Sequence, residues 1–271
     1  MEIENIKKRL IISYLSNLIM IILFISSIII EIINIIKDPN SIYGNVWGLF
    51  RYFTVDGNLL TCIFNIIIWI KQYKALKTPK DDTETFKDRA VSHFLYIISL
   101  ISACNDIIIF TVVVFIFLPM ANVEIIKELI GKYSASCVHL IIPLILTFRF
   151  LFLDIRKRNL KLYEKFYGGL PMLVYGLIMI ILCGTKVLTS FDKKEGDGRI
   201  PYPFFDFYHQ SWYFCFFIIL SILVFGFGIS VLFDYLNKKC EKLIFPFEPK
   251  EKEEEDGLMK DNQQIFVEST S

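Results

Sequence analysis

The sequence contains no glycine-rich loop able to cradle a phosphate, no zinc-ligand spacing and no nucleophile elbow. Each absence removes a familiar reading: P-loop nucleotide binding, zinc hydrolysis, and serine-esterase chemistry on an α/β sheet. Six cysteines are present, and none stands in a metal or redox spacing. Cys62, Cys104, Cys137, Cys183 and Cys215 lie in or at the edge of apolar runs, where a thiol packs as a small hydrophobe. No internal repeat of the kind that builds many transporters is visible. Alanine is scarce and isoleucine abundant, a codon bias that carries no functional message. No cofactor and no nucleic-acid partner is expected.

Apolar sequence dominates instead. Of 271 residues, 54% are hydrophobic and 15% aromatic, and the mean hydropathy is +0.51. The net charge of +1 says little, because the charges are confined to gaps between apolar blocks. A bilayer core of about 30 Å needs about 20 apolar helical residues. Six blocks qualify: Leu10–Ile36, Gly48–Ile70, Phe94–Leu118, Cys137–Leu153, Gly169–Thr189 and Ser211–Phe233. They are too long for barrel strands and lack strict alternation. The expected fold class is therefore all-α, a polytopic membrane protein with six transmembrane helices. Lys7, Lys8 and Arg9 before the first block resemble a signal-peptide start, but the block is long and no small-residue cleavage site follows, so it reads as retained. Trp47 and Trp69 bracket the second block, about 33 Å apart on a helix, as interfacial anchors would be.

Lysine and arginine set the expected orientation. One side collects Lys7, Lys8, Arg9, Lys71, Lys74, Lys77, Lys80, Lys87 and Arg89. It also takes Arg156, Lys157, Arg158, Lys161, Lys165, Lys238, Lys239 and Lys242. The other has only Lys37, Lys127, Lys132, Lys193, Lys194 and Arg199. The alternation fits six crossings with both ends cytoplasmic (N-in/C-in). The expected layout is a short cytoplasmic N-terminus over residues 1–9, a membrane domain over 10–236, and a charged, disordered cytoplasmic tail over 237–271. The location would be the plasma membrane in a bacterium, or an endomembrane or plasma membrane in a eukaryote.

The inner loop Lys71–Ser92 reads as a solvated connector. The outer loop Phe191–Gln210 ends in Ile200-Pro201-Tyr202-Pro203-Phe204-Phe205-Asp206. Prolines and aromatics here fit either a segment folded onto the bundle mouth or an ordinary aromatic belt.

Polar residues inside a span are costly and mark the bundle interior or a site. Asn17, Ser27, Glu31 and Asn34 share a face of the first helix. Arg51, Thr54, Asn58, Thr61 and Asn65 form a stripe on the second. Ser99, Ser102, Asn105 and Asp106 cluster on the third; His139, Pro143 and Arg149 mark the fourth; Lys186 ends the fifth. Counting about 1.5 Å per residue, Thr54 and His139 both fall within roughly 10 Å of the outer boundary, with Asp106 near mid-membrane. Glu31, Arg51, Thr54, Asp106, His139 and Lys186 are expected to face inward and converge on a pocket in the outer half. Plainer alternatives stand beside this. Thr54 serves equally as a packing residue bonding its own backbone. His139 serves as an interfacial histidine, and Glu31 and Asp106 as neutralisers of Arg51 and Lys186.

Three short motifs resemble those of a known family. They are Tyr52-Phe53-Thr54 followed by Asn58-Leu59-Leu60, His139 with Pro143 four residues on, and Tyr202-Pro203-Phe204. The chain resembles, over roughly Leu10 to Leu236, the androgen-induced and androgen-dependent membrane hydrolases and their bacterial six-helix relatives. The resemblance implies intramembrane hydrolysis of fatty acid esters of hydroxy fatty acids. Thr54 would be the nucleophile and His139 its base, with membrane lipids as surroundings and a lipid-like substrate. Asn58, Arg51 or Tyr202 would then donate to the oxyanion, and Asp106 would orient the histidine. Val55-Asp56-Gly57 and Arg149 depart from the bacterial pattern. The alternative is a non-enzymatic lipid- or solute-binding protein, or a small transporter, using the same polar cleft.

Overall fold

The structure, a computed structural model, describes residues 2–37, 52–79, 82–114, 132–188, 200, 202 and 205–244. Arg51, Trp47, Pro201, Pro203, Phe204 and the tail beyond Ile244 lie outside the described residues. Every regular element among those residues is helical. The elements are α1 (Glu2–Lys37), α2 (Phe53–Leu76), α3 (Thr83–Ala90), α4 (His93–Val112), α5 (Tyr133–Phe152), α6 (Leu170–Gly184) and α7 (Trp212–Ile244). A short 3-10 turn, Glu164–Gly169, leads into α6. Six helical stretches are long and apolar enough to cross a membrane, which is compatible with a multi-pass membrane protein.

Burial ranks the helices. In α4, with the short helix before it, 67% of the most apolar window is buried; in the others the share is 33% or less. α4 is thus the central post. Outer faces stay apolar: Leu15, Ile19 and Ile22 of α1, and Phe216, Phe217 and Val224 of α7, are all exposed. The interior holds Asn17, Asn58, Asp106 and Arg149, each at most 1% exposed. Apolar outside and polar inside is the pattern expected when lipid replaces water. Helices there gain nothing by hiding leucine from lipid, and interhelical hydrogen bonds help hold them together.

Small residues allow the closest approaches. A Cβ on Gly168 would stand 2.5 Å from Ser230 Oγ and 2.7 Å from Cys104 Sγ. The bare backbone instead lets the 3-10 turn wedge between α4 and α7, with Gly168 N–H donating to Ser230 Oγ at 3.1 Å. Gly57 does the same between α2 and α4, where a Cβ would meet the Asn105 amide at 2.8 Å.

One end of the bundle gathers both termini of the described chain. Arg9 of α1 donates to the Asp154 carbonyl at 3.3 Å, Lys157 pairs with Asp88 at 3.1 Å, and Arg156 reaches Asp234 and Glu241 on α7. Lys77, at the C-cap of α2, and Arg158 therefore lie at the end holding the start of α1 and the end of α7.

Several local features differ from the sequence expectations. The connector Lys71–Ser92 contains α3, capped by Asp82, whose Oδ1 accepts from Thr85 N–H at 3.1 Å. Phe86 anchors α3 against Ile6, Leu10 and Ala75. α7 continues past residue 236, and Asn237 is fully buried, donating to the Phe150 carbonyl at 2.7 Å. Trp69 stacks on Tyr14 of α1 at 5.4 Å, and α2 runs on past it to Leu76.

Candidate functional site

Thr54 lies in the first turn of α2, at the end of the bundle opposite the termini. No side chain of its own segment caps this helix start, and the first N–H groups of any helix lack intrahelical partners. The Tyr202 hydroxyl approaches this helix start from across the bundle, beside the Thr54 side chain and the backbone of Phe53 and Thr54. Tyr202, Phe205 and Ile200 are all buried in the main apolar cluster. The segment is therefore folded onto the bundle mouth, which decides between the two readings of the loop. Aromatic rings wall the mouth: Tyr52 and Tyr175 pack edge-on to Tyr202 at 6.0 and 6.4 Å, and Phe53 lies 5.1 Å from Tyr175.

One turn deeper, Asn58 Nδ2 donates to the Thr54 carbonyl at 2.6 Å and lies 3.5 Å from the Val138 carbonyl. The second contact docks α2 on the part of α5 that carries His139. Here α5 widens into a π-turn, Cys137–Ile141. Pro143 supplies the reason: it has no N–H to give the carbonyl four residues back, which is that of His139, and its ring crowds that position. The helix responds with an i−5 bond from Ile142 N–H to the Cys137 carbonyl. Such π-turns recur at functional sites. His139 Nδ1 is buried with no partner among the described residues. Glu31 sits at the same end, accepting from Ser134 Oγ at 2.8 Å.

Two expectations need correction. Lys186 does not face the interior; it is exposed, two residues past the end of α6, in a left-handed conformation (φ 61°). It closes the helix, with Leu188 N–H bonding the Leu182 carbonyl at 3.1 Å. A glycine normally occupies such a position because a Cβ is strained there. Lys186→Gly should therefore raise thermal stability by about 1 kcal/mol and leave ligand binding or turnover unchanged. A loss of either function would return Lys186 to the site. Asp106 does not orient His139. Its Oδ1 accepts from Thr61 Oγ1 and Asn105 Nδ2, both at 3.0 Å, because Gly57 lets Asn105 lie flat against α2.

Nor do the polar groups converge on the outer half alone. Below Asp106, the Arg149 guanidinium is completely buried and donates to Asn17, Asn65 and Ser99. It also stands 3.5 Å from Asp154, which accepts from Ser99. Asn17 donates to Gln72 and Gln72 to Ser13, each at 2.8 Å. Polar side chains thus line α2 from Thr54 to Gln72, about 27 Å along the axis, in separate hydrogen-bonded groups, since the Asn58 amide bonds only main-chain carbonyls. Sequence reasoning missed Ser13, Gln72 and Asp154 as members. Gln72 was within reach, since it continues the α2 stripe seven residues beyond Asn65; Asp154 gave no periodic signal.

The chain matches no family model, no curated protein and no solved structure to which it was compared.

Proposed function

We propose that this is a multi-pass membrane protein with both ends cytoplasmic, and that it hydrolyses lipid esters within the membrane through Thr54 and His139. The observation that carries the chemistry is the mouth of the bundle. Thr54 stands at a helix N-terminus under the Tyr202 hydroxyl, and Asn58 docks its turn on the π-turn that bears His139. In the reaction, Thr54 Oγ1 attacks the ester carbonyl carbon while a neutral His139 ring nitrogen takes the hydroxyl proton. The carbonyl oxygen becomes an oxyanion, for which the Tyr202 hydroxyl is the donor. Collapse breaks the bond to the alcohol oxygen, which leaves with the proton from His139. Water then attacks the acyl-threonine, giving its proton to His139, and the fatty acid departs as Thr54 is restored. The aromatic wall suits an acyl chain.

The run of polar side chains along α2 favours a second reading, a lipid- or solute-binding protein or small transporter. Arg149 argues against a through-path, because its guanidinium is held by Asn17, Asn65 and Ser99 across the bundle. Detergent-purified protein should release fatty acid from members of a lipid-ester panel that includes fatty acid esters of hydroxy fatty acids. No release across the panel, with uptake of a solute into proteoliposomes, would favour transport. Orientation is tested separately in a Cys240→Ser background, since Cys240 is the one described cysteine not buried. Lys77→Cys and Arg158→Cys should both label from the cytoplasmic side only, and opposite labelling would break the six-crossing topology.

A further inference from the structure

A second candidate site lies at the other end of the bundle. Where α2 ends and α4 begins, with α3 alongside, a groove of about 610 Å3 opens, within the range of ligand sites generally. Lys71, Lys74 and Lys77 enter it from the last turns of α2 and Arg89 from the end of α3. None of the four makes an ion pair among the described residues. Lys77 lies over the Tyr73 ring at 5.6 Å and Arg89 donates to Thr78 Oγ1 at 3.3 Å. The groove's one carboxylate, Asp88, is engaged by Lys157 at 3.1 Å. Four cations with no ion pair among the described residues stand around one concavity and repel one another, and an anion seated among them removes that repulsion.

Position identifies the anion's source. The lysines follow directly on the apolar span of α2, where Ile70 is still 42% exposed. Phe94, 56% exposed in the first turn of α4, and Tyr73, 47% exposed, stand at the same level, as aromatic residues do where helices leave the hydrocarbon. A headgroup in the groove would leave its acyl chains against those outward apolar faces. We propose that this groove binds the phosphate-bearing headgroup of an anionic membrane lipid, independently of any chemistry at Thr54.

The test uses the full chain in detergent, with native mass spectrometry reading bound dioleoylphosphatidylglycerol against dioleoylphosphatidylcholine. The anionic lipid should bind at least about tenfold more tightly. Lys71→Gln and Lys74→Gln should each weaken it about fivefold, the effect of one surface lysine on an anionic lipid. Lys238→Gln, an exposed lysine at the same end but outside the groove, should change nothing. Equal binding of the two lipids would overturn the proposal. So would equal loss in Lys238→Gln, which would mean diffuse surface charge, or displacement by inorganic phosphate at equal affinity, which would mean a soluble anion.

Discussion

Arg149→Met should destabilise the bundle by about 3–5 kcal/mol, read as a fall in thermal midpoint in detergent. The substitution keeps much of the side-chain volume and removes the charge. Asn17 Oδ1 and Asn65 Oδ1 would lose their donor, and Asp154 would lose its buried cation. The two asparagines are buried and have few alternatives, so breaking one partner costs more than the intact network contributes. Adding Asp154→Asn to Arg149→Met should recover part of the loss, because the stranded negative charge disappears with it; the two changes are then non-additive. A loss below about 1 kcal/mol, or strict additivity, would show that the guanidinium is not what ties α1, α2, α4 and α5 together.

Thr54→Ala and His139→Ala should each lower ester turnover by a factor of about a thousand or more, with folding nearly intact. The double variant should be little worse than either single one, since a nucleophile and its base act as one unit. Thr54→Ser should retain activity because it keeps the hydroxyl. Tyr202→Phe should lower turnover by roughly a hundredfold while shifting the Michaelis constant little, the signature of a group acting on the developing oxyanion. If the two alanine variants multiply their losses, the pair is not a unit. If Thr54→Ala turns over like the parent, the nucleophile is elsewhere and the mouth is a binding cleft.

Much of the fold is legible in the amino-acid sequence. Length and hydropathy suffice to place six helices long and apolar enough to cross a membrane, because bilayer thickness sets a helix length and composition satisfies it locally. The α2 stripe is equally local. Thr54, Asn58, Thr61 and Asn65 recur at three- and four-residue steps, and the structure buries three of the four while leaving Thr54 half-buried at the mouth. The lysine bias gathers at the end where the structure collects the start of α1 and the end of α7. One local signal misled: Lys186 looks like an inward cation and is a helix terminator.

The composition of single segments therefore determined the number of apolar helices, their approximate ends and the inward face of α2, since each depends only on neighbours along the chain. Only the tertiary structure decided what the inward groups touch. Arg149 meets residues 17, 65, 99 and 154, drawn from α1, α2, α4 and the stretch just after α5, and no period in the sequence links those positions. Asp106 turns to Thr61 and Asn105 because Gly57 opens the space beside them. Tyr202 reaches Thr54 because its loop folds over the mouth. Hydropathy is a property of each residue, whereas a hydrogen bond is a property of two positions that only packing brings together.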